Sequence, residues 1–179
     1  MKVSYRVTLD PLHEESRVQL HLAGLTPGET TLMTPAWVPG DYDFEKFGRN
    51  AFDVFDVLAA DPASGKPLGM HRHGWSCYTV EQRGEALTVT YRAPAANTRS
   101  EGTGGVDSML LGARYLRVAA HDGHCLVQYD VPDGWEVRHP AGARALGENT
   151  WEYESYEQLL ETPVVLGRLE EAALQEDYL

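Results

Sequence analysis

The chain has 179 residues, of which 42% are hydrophobic, and its formal net charge is −12 at pH 7. That length and apolar content predict one domain with a sizeable core, and no apolar run reaches the about 18 residues that a transmembrane helix needs. The acidic excess disfavours nucleic acid and anionic membranes as partners, because phosphate binding requires clustered Lys and Arg.

The two ends of the chain differ in character. Met1-Lys2-Val3-Ser4-Tyr5 enters a strand pattern at once, without the basic, apolar and small-residue order of a leader, which predicts a cytoplasmic protein. From Glu148 to Leu179 there are nine acids against one base, Arg168. We therefore expect a domain over residues 1–167 and an acidic tail or linker stub over 168–179. The acidic segment is compatible with a basic partner surface, but a solvated edge is the simpler interpretation.

Alternation of apolar and polar residues predicts the first strands. Val3 to Leu9 and Arg17 to Leu22 each place their apolar residues on one face, whereas Phe52 to Leu58 is apolar on both faces. Trp75 to Val80 and Ala86 to Arg92 resemble the two arms of a hairpin, since a short polar turn with one glycine lies between them.

The second half of the chain adds a loop, more strands and one helix. Ala93 to Asp107 is small, polar and glycine-rich, which predicts a long mobile loop. Cys125 to Val131 alternates as a strand does. Ser155 and Gln158 have capping-box spacing and predict a short helix near residues 155–161. The regular strands, turns and single helix together predict an all-β fold, an antiparallel β-sandwich.

The stretch from Thr34 to Asn50 is the least ordinary part of the sequence. Pro39-Gly40 predicts a tight turn, and aromatic residues stand on both sides of it. Such a stretch is either a rigid packed corner or a binding surface, and we favour a corner whose Gly40 to Asp43 tip faces a neighbouring domain. The candidate binding or interdomain residues are Trp37, Pro39, Gly40, Asp41, Tyr42, Asp43, Arg49 and Asn50.

No catalytic motif is complete. His13-Glu14-Glu15-Ser16-Arg17 lacks the second histidine of H-E-x-x-H, and Gly74-Trp75-Ser76-Cys77-Tyr78 lacks the second glycine of G-x-S-x-G. We therefore expect no catalytic residue in this chain.

Metal binding is not expected either. His71 and His73 are the best candidates, because alternate residues of a strand face the same way. A third ligand is not evident, however, and exposed strand-edge histidines are the more frequent explanation. Cys77 and Cys125 have no metal-binding spacing and are interpreted as buried thiols, with one disulfide as the alternative.

Pro35-Ala36-Trp37-Val38-Pro39-Gly40-Asp41-Tyr42, followed by Phe47-Gly48-Arg49-Asn50, resembles a known family pattern. The pattern P-x-W-x-P-G-x-Y, a short gap and F-A-R-N is that of the N-terminal domain of the glycyl aminopeptidase family of zinc metallopeptidases. This chain departs from it at Gly48, where the family has Ala. Further pieces match in order, namely Gly65 to Leu68, Trp75, Tyr91-Arg92, Pro132 to Trp135, Tyr156 to Pro163 and Gly167.

The resemblance implies a β-rich domain that precedes a zinc catalytic domain and then a PDZ-like domain. Zinc would be expected in that catalytic domain, and no residue of this chain matches its ligands or its catalytic glutamate. The chain is therefore either one domain of a longer peptidase or a stand-alone relative.

Three functions follow as hypotheses. The first is a non-catalytic accessory domain that packs on a catalytic metallopeptidase domain, in cis or in trans, and shapes its peptide substrate cleft. The alternative is a stand-alone binding module for peptide or carbohydrate, with Trp37, Tyr42 and Phe44 as an aromatic platform. An enzyme built on His71, His73 and nearby carboxylates ranks last.

Overall fold

The computed structural model describes residues 1–35, 54–94, 96–98, 108–111 and 115–169. This part of the chain holds one helix, α1 (Tyr156–Glu161). Its strands, in chain order, are β1 (Lys2–Asp10), β2 (Glu15–Ala23), β3 (Gly28–Met33), β4 (Phe55–Ala60), β5 (Met70–His73), β6 (Cys77–Gln82), β7 (Ala86–Pro94), β8 (Ala96–Thr98), β9 (Ser108–Leu111), β10 (Arg117–Val118), β11 (Cys125–Asp130), β12 (Glu136–Arg138), β13 (Arg144–Gly147), β14 (Thr150–Tyr153) and β15 (Val164–Gly167). The predicted all-β class with one short helix is confirmed. In the described part of the chain, no helix has the length and apolar character of a membrane span.

A seven-stranded sheet in the order β13-β14-β11-β1-β2-β7-β4 forms one layer, which we call the large sheet. Its neighbouring strands are antiparallel except β1 and β11, which run parallel. The long strands β1, β2 and β7 alternate between buried and exposed residues. Val7 lies opposite Val18, and Val18 lies opposite Tyr91, so one face of this sheet is apolar. The period-two pattern thus fixes which side of the large sheet meets the core.

Two four-stranded sheets cover the apolar face of the large sheet. The second sheet has the order β10-β3-β6-β5, and the third has the order β12-β15-β9-β8. Leu32 of β3, Val80 of β6 and Leu166 of β15 are fully buried and belong to the same core cluster as the large sheet's apolar residues. Burial of one such leucine contributes roughly 2 kcal/mol. The arrangement is a sandwich with a single core.

The predicted hairpin between residues 75–80 and 86–92 is wrong. β6 pairs with β3 and β5 in the second sheet, whereas β7 pairs with β2 and β4 in the large sheet. The chain crosses between layers here, and the Leu25 N–H donates to the Glu85 carbonyl at 2.9 Å across the crossing. Alternation has the same period in both arrangements, so it could not distinguish them.

The predicted mobile loop over Ala93 to Asp107 is partly strand. Ala93 and Pro94 complete β7, and residues 96–98 form β8, which pairs with β9. The remaining loop residues, 95 and 99–107, lie outside the described residues.

The predicted cap of α1 is confirmed. The Ser155 hydroxyl accepts the Gln158 N–H at 3.1 Å. The Gln158 side-chain oxygen accepts the backbone N–H of Glu154 at 2.7 Å, one residue before the position of a standard capping box. Tyr156 and Leu159 are the buried residues of the helix and attach it to the core.

Both cysteines are thiols, as predicted, but only Cys125 is buried. Cys77 is half-buried at the start of β6. Burial raises the pKa of the Cys125 thiol to about 12, so this thiol stays protonated at neutral pH.

Candidate functional site

The candidate residues from Trp37 to Asn50, including the Gly40 to Asp43 tip, lie outside the described residues. What the structure places are the two ends of the connection that carries them. The connection leaves the second sheet at the end of β3 and enters the large sheet at β4. It therefore joins the two layers of the sandwich.

The upstream end of the connection is anchored at Thr34. Its backbone N–H donates to the Ser76 carbonyl oxygen at 2.8 Å, and its hydroxyl donates to the same oxygen at 3.4 Å. Both Thr34 and Pro35 are buried. The chain thus leaves β3 directly beside the turn that joins β5 to β6.

That β5–β6 turn is bridged by a side-chain hydrogen bond. Gly74 has φ +63, in the left-handed region that glycine tolerates. The Arg72 guanidinium donates to the Trp75 carbonyl oxygen at 2.6 Å and lies 5.4 Å from the centre of the Tyr78 ring. Trp75 itself is 66% exposed, although large rings more often pack inside a protein. The turn therefore places the side chain of Trp75 at the surface.

The downstream end is anchored through Arg92 of β7. Its Nε donates to the Asp56 carboxylate at 2.9 Å, and its Nη1 donates to Glu15 at 3.0 Å. The guanidinium also lies 4.7 Å from the centre of the Phe55 ring. These contacts tie the start of β4 to β2 and β7, and the Asp56 carboxylate raises the pKa of Arg92. Asp56 has φ +54 within a register shift of β4, which bends the edge strand where the connection enters.

His71 and His73 lie where the sequence predicts, as exposed residues of β5. Their cross-strand partners are Thr79 and Cys77. No group of three or more His, Cys, Asp or Glu side chains able to hold a metal occurs within the described ranges. A zinc site needs at least three protein ligands, and these two histidines receive no third within those ranges.

Sequence reasoning missed a buried chain of hydroxyl groups. The hydroxyls of Tyr115 and Tyr129 lie 3.2 Å apart, and those of Tyr129 and Tyr153 lie 3.3 Å apart. The chain ends at His139, whose Nε2 lies 2.7 Å from the Tyr153 hydroxyl and whose ring stacks on Trp151 at 4.6 Å. Alternation marks Tyr129 and Tyr153 as inward-facing, but only the pairing of β11 with β14 in the folded sheet places them on one face.

The groups of this hydroxyl chain are uncharged at neutral pH. Phenols are protonated there in any case, and burial raises the pKa of Tyr153 to about 12 and raises the pKa values of Tyr115 and Tyr129. Burial lowers the pKa of His139, which keeps its ring neutral.

Two solved structures share the fold. The crystal structure of an aminopeptidase N family protein from Idiomarina loihiensis has a TM-score of 0.78 and 17% identity, covering 98% of this chain and 31% of that one. Native leukotriene A4 hydrolase from Saccharomyces cerevisiae has a TM-score of 0.52 and 10% identity, covering 98% and 30%. At these low sequence identities, the structural similarity establishes a shared fold and nothing further. This chain spans about a third of the length of either protein.

The fold is thus that of a β-rich domain, and it also occurs as part of two larger chains. Among curated proteins, no sequence matches this chain. The model of one protein family, described as the peptidase M61 N-terminal domain, matches residues 4–168. The chain belongs to that family, which confirms the resemblance carried by the Pro35 to Asn50 stretch.

Proposed function

We propose that this chain is a non-catalytic accessory domain that packs on the zinc catalytic domain of a peptidase M61 protein and shapes its substrate cleft. The observation that carries the proposal is the family match over residues 4–168, nearly the whole chain. The same proposal is supported by the occurrence of this fold within a larger aminopeptidase N family chain, of which it occupies 31%.

The described residues do not form a zinc site of their own. His71 with His73 supplies two metal ligands where a zinc site needs three, and no third joins them within the described ranges. In this proposal zinc and the general base belong to the catalytic domain, and this domain supplies contact surface.

A reconstitution experiment tests the proposal. The purified chain is titrated into the separately produced catalytic domain of a peptidase M61 protein, and binding is followed by calorimetry while hydrolysis of a glycyl peptide is measured. We expect saturable binding and a change in kcat/KM for the peptide, because a domain that shapes the cleft alters substrate contacts. Absence of both binding and any change in turnover would reject an accessory role.

A matched control uses an unrelated β-sandwich of similar size and net charge. It corrects for crowding and for non-specific effects of an acidic protein, and it should leave kcat/KM unchanged. An effect of equal size from the control would mean that the change in turnover does not come from this domain.

A further inference from the structure

We draw no further inference here: the strongest candidate, the exposed end of the second sheet formed by Trp75 and Met33, carries none because nothing in the structure shows what covers it.

Discussion

His139 Nε2 lies 2.7 Å from the Tyr153 hydroxyl, while Nδ1 of the same ring lies 2.7 Å from the Pro140 carbonyl oxygen. A carbonyl oxygen only accepts, so in the neutral ring Nδ1 carries the proton and Nε2 accepts from Tyr153. The Tyr153 oxygen is then left to accept from Tyr129. The neutral histidine therefore sets the direction of every hydrogen bond in the buried tyrosine chain.

This relationship predicts a pH dependence of stability. Burial lowers the pKa of His139 in the folded protein, so the unfolded chain, with an ordinary histidine pKa of about 6.5, binds a proton more readily. The contribution of neutral His139 to the free energy of unfolding is complete above about pH 6.5. It is lost as the pH falls through the pKa that His139 has in the folded protein. Protonation would also turn Nε2 from an acceptor into a donor and reverse the tyrosine chain.

The measurement is urea unfolding at pH 7.5, 6.5 and 5.5 for the original chain and for His139→Gln. As the pH is lowered, the free energy of unfolding should fall less steeply in His139→Gln than in the original chain. The matched control is His71→Gln, which replaces an exposed histidine of β5 and should keep the original slope. Equal slopes for all three proteins would contradict the role of His139.

Two tyrosines clamp one backbone unit in the core. The Tyr5 hydroxyl donates to the Leu116 carbonyl oxygen at 2.7 Å, and the Leu116 N–H donates to the Tyr91 hydroxyl at 3.1 Å. Tyr5→Phe and Tyr91→Phe each leave a buried backbone group unsatisfied, which should cost about 1–3 kcal/mol. Denaturant unfolding of both single variants and of the double variant gives the coupling free energy between the two hydrogen bonds.

Tyr78→Phe is the control for that pair. Its ring is also buried, but its hydroxyl has no hydrogen-bond partner within the described ranges, so its loss should cost less than about 0.5 kcal/mol. A loss at Tyr78 as large as that at Tyr5 would mean that hydroxyl removal alone, and not the lost hydrogen bond, destabilises the protein.

The cap of α1 allows a third prediction. Ser155→Ala removes the acceptor of the Gln158 N–H and should lower the free energy of unfolding by about 1 kcal/mol. Ser155→Asp keeps an acceptor at this position and should retain most of the stability. If both variants lose the same amount, the contribution of the cap is smaller than the geometry indicates.

The two thiols should differ in reactivity in the chain by itself. At pH 8, N-ethylmaleimide should modify Cys77 and spare Cys125, because Cys125 is buried and burial raises its pKa to about 12. In urea both thiols should react. Modification of Cys125 at the rate of Cys77 under native conditions would contradict its burial.

The sequence predicted the local features of the fold well. Alternation identified β1, β2, β7 and β11, and the spacing of Ser155 and Gln158 identified α1, because these signals depend on neighbouring residues alone. Sequence reasoning failed where a prediction required knowledge of which strands pair. β6 and β7 alternate as the two strands of a hairpin do. Only their pairing in two different sheets shows that they do not form one.

The candidate site divides in the same way. The pattern from Pro35 to Asn50 identified the family, since the pattern is contiguous in sequence. The exposure of Trp75 depends on how the β5–β6 turn packs in the fold, which sequence spacing does not contain. The link from Tyr115 to His139 likewise depends on the pairing of strands that are distant in sequence, among them β11 and β14.

The parallel pairing of β1 with β11 has a consequence for how the domain is made. Val3, near the start of the chain, pairs with Cys125. At about 5–20 residues per second, a ribosome needs several seconds to produce that partner after β1 has emerged. The centre of the large sheet therefore closes late in synthesis, and until then one edge of β1 has no partner strand.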